Sequence, residues 1–246
     1  MKQKFFIGLI GGYGLEKVLR KKQWRAARTP YGYPSSKIVM GVIADKRAAI
    51  ICRHGENHSI PPHRINHLAN IWTLHSLGIE FIINTAAAGS LNEKIKPGSF
   101  ILPHDFIDFR FQPTTFYHQF KNEKGHTDMT APYSVYLREK IQKAAKNLGI
   151  PVRNRAVYIN TLGPRFETPT EIRMFKKMGA DIVGMTNVPE VILANELGIE
   201  IAAVAIATNF AAGISKNSLT SKEVDEMMAQ KEKQLKNLIL ETVRIL

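Results

Sequence analysis

A single cysteine, Cys52, stands among 246 residues. An internal disulfide framework is therefore excluded, and a reducing, cytoplasmic location is expected. Long apolar runs are missing as well. None reaches the roughly 20 residues that a membrane span needs, so no membrane association is expected. The first residues, Met1 to Phe6, carry two lysines and soon meet Gly11 and Gly12, without the apolar stretch and cleavage site of a secretory leader. Metal-ligand spacings are absent. The histidines are scattered, with His58 and His63 five apart, and neither His-Glu-x-x-His nor Cys-x-x-Cys occurs. No bound metal or organic cofactor is expected. The lack of Gly-x-Ser-x-Gly removes the usual signature of a serine hydrolase.

Acidic residues are outnumbered, 21 against 34 Lys and Arg, which gives a formal charge of +13. This favours anionic partners, among them phosphate, nucleotides or nucleic acid. The densest basic run is Arg20-Lys21-Lys22, followed by Arg25 and Arg28. It comes without zinc-finger spacing or RNA-binding aromatics and reads as a solvated basic surface, so no nucleic-acid partner is expected. Hydrophobic residues at 44% are enough for a folded core.

Short apolar runs alternate with helical patterns, which predicts an α/β fold in one domain, 1–246: a twisted, mixed, largely parallel central sheet flanked by helices. Strands are expected at 5–10, 38–43, 48–52, 79–84, 156–161, 181–185 and 200–208. The pair 38–43 and 48–52 reads as a hairpin turning at Asp45-Lys46. Helices are expected at 63–77, 133–148, from Thr168 to Gly179, at 189–197, and from Thr220 to the end. Thr168-Pro169 with Glu171, and Thr220 with Glu223, have the pattern of capping boxes. Residues 85–90, Thr-Ala-Ala-Ala-Gly-Ser, read as a small-residue turn.

Ligands of α/β sheets bind beyond the carboxyl ends of strands, and six such ends carry notable residues. Gly11-Gly12-Tyr13-Gly14 fits an anion-binding turn or a plain turn; a full dinucleotide fingerprint is not present. Arg53-His54-Gly55 fits a bidentate anion grip with an added histidine donor, or an incidental basic loop. Ala86 to Ser90 lets main-chain N–H groups approach a ligand, or simply packs tightly. Gly163-Pro164-Arg165-Phe166-Glu167-Thr168 offers an aromatic face beside a carboxylate, as a heterocycle would need. Gly184-Met185-Thr186 and Thr208-Asn209 complete the set. A buried strand-end amide such as Asn209 must find partners, in a ligand or in a turn.

Taken in order, these segments resemble the trimeric purine nucleoside phosphorylase and methylthioadenosine phosphorylase family. The matching stretches include Ile7 to Gly12, Thr29 to Ser35, Arg53-His-Gly-Glu-Asn-His58, Ile60 to His63, Asn66 to Trp72, Ala88 to Leu91, Phe106 to Asp108, Gly163 to Thr168 and Gly184-Met-Thr-Asn-Val-Pro-Glu190. Each is short; the ordered set spans nearly the whole chain. The resemblance implies phosphate, as co-substrate, held by Gly12, Tyr13, Arg53, His54, the Ala87 backbone and Thr186. It implies ribose near Met185 and His58, and the base against Phe166, Glu167, Asn209 and Ala211. Asn209, Glu167, Arg53 and His54 are the implied catalytic residues. His126, in His126-Thr-Asp-Met129, matches the segment that closes a neighbouring subunit's site, so a homotrimer is implied.

The base edge discriminates. A 6-oxopurine presents O6 as acceptor and N1–H as donor; Asn209 can donate to O6 and ionised Glu167 can accept N1–H. Adenine reverses both edges and leaves an unpaired contact. The 6-aminopurine branch has aspartate at the Asn209 position and a second acid at that of Ala211. A 6-oxopurine nucleoside (5′-methylthioinosine, inosine or guanosine) is therefore expected. Val224 and Met228, with no histidine nearby, lean towards a 5′-methylthio group. The alternatives are 5′-methylthioadenosine phosphorolysis and a catalytically silent nucleoside- or nucleic-acid-binding protein. One departure stands out: Tyr13 replaces the family's Ser or Thr, so a raised phosphate requirement is expected.

Overall fold

A computed structural model describes residues 5–12, 14–119, 125–215 and 219–246. Tyr13 lies outside them. In chain order the elements are β1 (Ile7–Gly11), β2 (Arg20–Arg25), β3 (Ile38–Ile43), β4 (Lys46–Cys52), α1 (His67–Ser76), β5 (Phe81–Ser90), β6 (Phe100–Ile101), β7 (Asp105–Asp108), α2 (Val135–Asn147), β8 (Val152–Arg153), β9 (Val157–Asn160), α3 (Pro169–Lys177), β10 (Ile182–Gly184), α4 (Asn187–Glu196), β11 (Glu200–Phe210) and α5 (Ser221–Ile245). The strands form one sheet, ordered β2-β3-β4-β1-β5-β10-β9-β7, with β11 on β5 and a short β6-β8 extension. The pairings β1-β4, β1-β5, β5-β11, β9-β10 and β7-β9 are parallel.

Period-two alternation decides which layer each strand residue enters. Ile7 and Leu9 of β1 and Ile50 of β4 face a core closed by Leu137 and Ile141 of α2 and by Leu238 and Ile239 of α5. Ile10, Ala49 and Ile51 point the other way, onto Ile71 and Leu74 of α1 and Val191 and Leu193 of α4. The expected α/β sandwich is thus present. Thr168 and Glu171 close the expected capping box of α3, while at α5 the Thr220 hydroxyl accepts from Glu223 N.

Several boundaries differ from the expectation, for physical reasons. The first long helix begins at His67, not 63, because the Asn66 side chain accepts from Ala69 N and caps it; Pro62–Arg64 form a separate 3-10 turn. The β3-β4 turn is Ala44-Asp45, one residue earlier, with both φ angles positive as a two-residue hairpin turn requires. The small-residue stretch 85–90 is strand, not turn, since β11 pairs with β5 from Phe81 to Ser90. The basic run 20–25 is an exposed edge strand.

Strand β5 organises the rest. β11 occupies one edge along its full length. On the other edge, β1 pairs residues 81–84 and β10 pairs 89–90 in the opposite direction. Between them, residues 85–88 have no strand partner on that edge. The sheet opens there, where β1 and β4 also end.

Candidate active site

A cavity of about 550 Å³ lies at this opening. Its walls include Gly12, Arg53, His54, His58, Ala87, Phe166, Glu167, Met185, Thr186, Asn209 and Ala211. Strand ends as far apart in the sequence as those of β1 and β11 thereby meet in one place. His126 does not line this chain's cavity. Among the described residues, no group of three or more His, Cys, Asp or Glu side chains could hold a metal, and no helix is long and apolar enough to cross a membrane.

Arg53 follows β4 directly and is 2% exposed. Its Nε donates to Glu190 Oε1 at 2.5 Å and its Nη2 to Glu190 Oε2 at 2.8 Å. Nη1 donates to Thr85 O at 2.7 Å, and Nη2 lies 3.4 Å from Ile10 O. Four of the five guanidinium N–H groups thus have protein acceptors. The expected bidentate face is turned towards Glu190, leaving one Nη1–H for a ligand. Burial pushes the Glu190 carboxyl up, but the Arg53 charge and hydrogen bonds overcome this and hold it at about 2.

Sequence reasoning gave Glu190 no role. The available signal was an acid flanked by Val188, Pro189, Val191 and Ile192 in α4. Behind it, Asn84 Nδ2 donates to Glu190 Oε2 at 2.9 Å, Asn187 Nδ2 to Asn84 Oδ1 at 3.0 Å, and the Tyr133 hydroxyl to Asn187 Oδ1 at 2.6 Å. His67 Nδ1 is 3.6 Å from Glu190 Oε1. These buried partners fix the arginine from behind.

His54 departs from its expected role as a donor. Its Nδ1 is 2.8 Å from Ile60 O. A carbonyl only accepts, so Nδ1 carries the proton. Burial, then the Arg53 charge, lower its pKa from 6.5 to about 4. At neutral pH Nε2 therefore presents a lone pair. The ring stacks on His58, centroids 4.5 Å apart.

Gly184 ends β10, and a Cβ there would overlap the Tyr158 hydroxyl. At Gly163, φ is +67° and a Cβ would strike Met185 Sδ. These two glycines set Met185 against the cavity. Thr186 precedes α4, and its hydroxyl makes no capping bond. It therefore remains available beside the helix N-terminus, a suitable place for an anion.

Two further polar groups line the cavity. Glu167 is 9% exposed and accepts a 2.7 Å bond from the Thr161 hydroxyl. Burial raises its pKa despite that bond. Arg165 pairs with Glu171 at 2.7 Å and so is engaged elsewhere. Opposite, β11 shifts register between Ala207 and Asn209. Such a bulge re-aims a side chain, and here Asn209 lines the cavity. The Thr208 hydroxyl donates to Asn209 Oδ1 at 2.8 Å, and Asn209 Nδ2 donates to Phe210 O at 2.9 Å. The amide is thus oriented with one N–H to spare. Phe166 supplies a half-exposed ring, and α5 contributes Val224 and Met228.

Residues 6–244 match the model of the phosphorylase superfamily. The chain is 44% identical over 247 residues to a 6-oxopurine nucleoside phosphorylase of Pyrococcus furiosus, covering 98% of this chain and 92% of that one. It is also 44% identical, over 99% of its own length and 92% of the relative's, to a probable S-methyl-5′-thioinosine phosphorylase of Thermodesulfovibrio yellowstonii. Among solved structures, a methylthioadenosine phosphorylase from Schistosoma mansoni in complex with adenine superposes with a TM-score of 0.91 at 32% identity, covering 98% of this chain and 92% of that one.

Proposed function

This chain belongs to the phosphorylase superfamily, and we propose that it cleaves the N-glycosidic bond of 6-oxopurine nucleosides with inorganic phosphate, releasing the free base and a sugar 1-phosphate. The observation that carries the base assignment is the Thr208–Asn209 pair. Because the Thr208 hydroxyl donates to Oδ1, the amide turns its NH₂ outward, ready for the O6 or N7 of a purine stacked on Phe166. Glu167, ionised, accepts N1–H.

Phosphate then sits at the opening of the sheet. It receives the spare Arg53 N–H, the Ala87 amide, the Gly12 turn and the Thr186 hydroxyl. Neutral His54 offers its Nε2 lone pair to a protonated phosphate oxygen. As the C1′–N9 bond breaks, the sugar gains oxocarbenium character and the phosphate beneath it stabilises that charge while attacking C1′. The electron pair passes to the base, where the spare Asn209 N–H stabilises it at N7 or O6. Phosphate is the co-substrate, and no step needs a metal. Met185 and His58 border the ribose, and Val224 and Met228 suit a 5′-methylthio group.

We read the assembly as a homotrimer in which the His126 segment closes a neighbouring subunit's cavity. The likeness of His126-Thr-Asp-Met129 to the family segment that closes a neighbouring site supports that reading. A cytoplasmic location agrees with Cys52, a lone buried thiol whose pKa burial pushes up to about 11. A phosphate-dependent assay with inosine, guanosine, 5′-methylthioinosine, adenosine and 5′-methylthioadenosine tests the function. The 6-oxopurines should be cleaved faster, and only with phosphate. Preference for the adenine nucleosides would overturn the base assignment, and the absence of phosphate dependence would overturn the reaction.

A further inference from the structure

A phosphate held away from water needs opposing positive charge. The residues assigned to it above supply little. Arg53 is neutralised by Glu190 at 2.5 and 2.8 Å. His54 is uncharged, with its one N–H given to Ile60 O. The α4 N-terminus contributes about half a charge.

Among the described residues lining the cavity, two further permanent cations are present, Lys17 and Lys236. They come from opposite parts of the chain. Lys17 lies in the 3-10 turn Leu15–Val18 that follows the glycines, and Lys236 lies in α5. Glu232, one helical turn before Lys236, joins them. Lys17 Nζ is 3.4 Å from Glu232 Oε1, and Lys236 Nζ bonds the same oxygen. The three side chains form a cluster of net charge +1. It touches the glycine turn itself: Glu232 Oε1 and Lys17 Nζ lie 3.3 and 3.9 Å from where a Cβ on Gly14 would stand. The Lys236 side chain is 20% exposed and that of Lys17 58%, so one is mostly buried and the other reaches solvent.

We propose that Lys17 and Lys236, held together by Glu232, are phosphate-binding residues that supply the charge Arg53 cannot. Lys17 meets the anion at the entrance and Lys236 holds it against the glycine turn. The single shared oxygen is a weak tether for Lys17, which lets its ammonium turn from Glu232 to the phosphate without breaking a buried ion pair. The proposal rests on the reading of this cavity as a phosphorolytic site.

The test is steady-state kinetics of Lys17→Met, Lys236→Met, the double variant and Glu232→Gln, with inosine fixed and phosphate varied, then the reverse. Each lysine variant should raise the phosphate KM by about tenfold, and the double variant more. The inosine KM should move less than about twofold, as expected for a group away from the base. Lys236→Arg should restore most of the loss, which a folding defect would not. Glu232→Gln raises the cluster to +2 and should lower the phosphate KM. A double variant with an unchanged phosphate KM overturns the proposal while leaving the phosphorolytic reading intact. Wild-type protein that cleaves inosine without any phosphate dependence overturns that reading first, and this proposal with it.

Discussion

Glu190 holds both of its carboxylate oxygens against Arg53, at 2.5 and 2.8 Å, and neither side chain has more than 2% of its surface exposed. Breaking a buried pair costs far more than its net contribution suggests, because one charge is left without a partner. Glu190→Ala should therefore lower the unfolding free energy by about 3–5 kcal/mol. Urea denaturation measures this, and a loss below about 1 kcal/mol, the range of an exposed pair, would show that water reaches the arginine.

The orientation of Asn209 yields a second expectation. Asn209→Asp replaces an N–H donor by an acceptor without changing shape. The ratio of kcat/KM for inosine over adenosine should fall by at least about 100-fold, since a site built for one hydrogen-bonding edge rejects its reverse. An unchanged ratio would place base discrimination elsewhere.

Thr208 acts one bond further back. Thr208→Val keeps the β-branched shape that suits the strand but removes the hydroxyl that fixes Asn209 Oδ1. The amide then loses its orientation, and kcat/KM for inosine should drop roughly tenfold, the value of one hydrogen bond of about 1–1.5 kcal/mol. Adenosine turnover should fall much less. Equal losses on both substrates would point to a general disturbance of the bulge.

His54 predicts how stability depends on pH. In the unfolded chain it titrates near 6.5, and in the folded protein at about 4. Between those values the unfolded state binds the extra proton, so stability falls as pH drops from 6.5 to 4. The loss reaches about 3 kcal/mol when complete. Buried His67 is shifted in the same direction and adds to it. His54→Gln should flatten the dependence between pH 7 and 5 in urea titrations. A variant that loses as much stability as the wild type over that range would show that His54 is solvated when folded.

Much of the fold was legible because most strands here are buried apolar runs and the main helices carry their own caps, as at Thr168 with Glu171. What escaped was decided by tertiary pairing. Arg20 to Arg25 has no apolar alternation, yet it forms an edge strand, whose charges also discourage pairing with other chains. Residues 85–90 are poor strand formers taken singly, and ten-residue pairing with β11 overrides that. In the site, the residue types at strand ends pointed to the cavity lining. Their hydrogen-bonding states did not follow from the sequence. Nothing in Arg53-His54 reveals that one is neutralised by a glutamate 137 positions away and the other donates its N–H to a carbonyl. Lys17 and Lys236 read as ordinary surface charges until folding sets them beside one oxygen of Glu232.

The interruption beside residues 85–88 has a consequence for how this site tolerates change. Its width follows from where β1 stops pairing with β5, at Asn84, and where the antiparallel β10 stops, at Gly89, a matter of strand length rather than residue identity. Point substitutions can retune the walls, but the main-chain groups along that bare edge persist through all of them. Insertions that lengthened β1 and β10 by two residues each would zip the seam shut and abolish the pocket with every wall residue still in place.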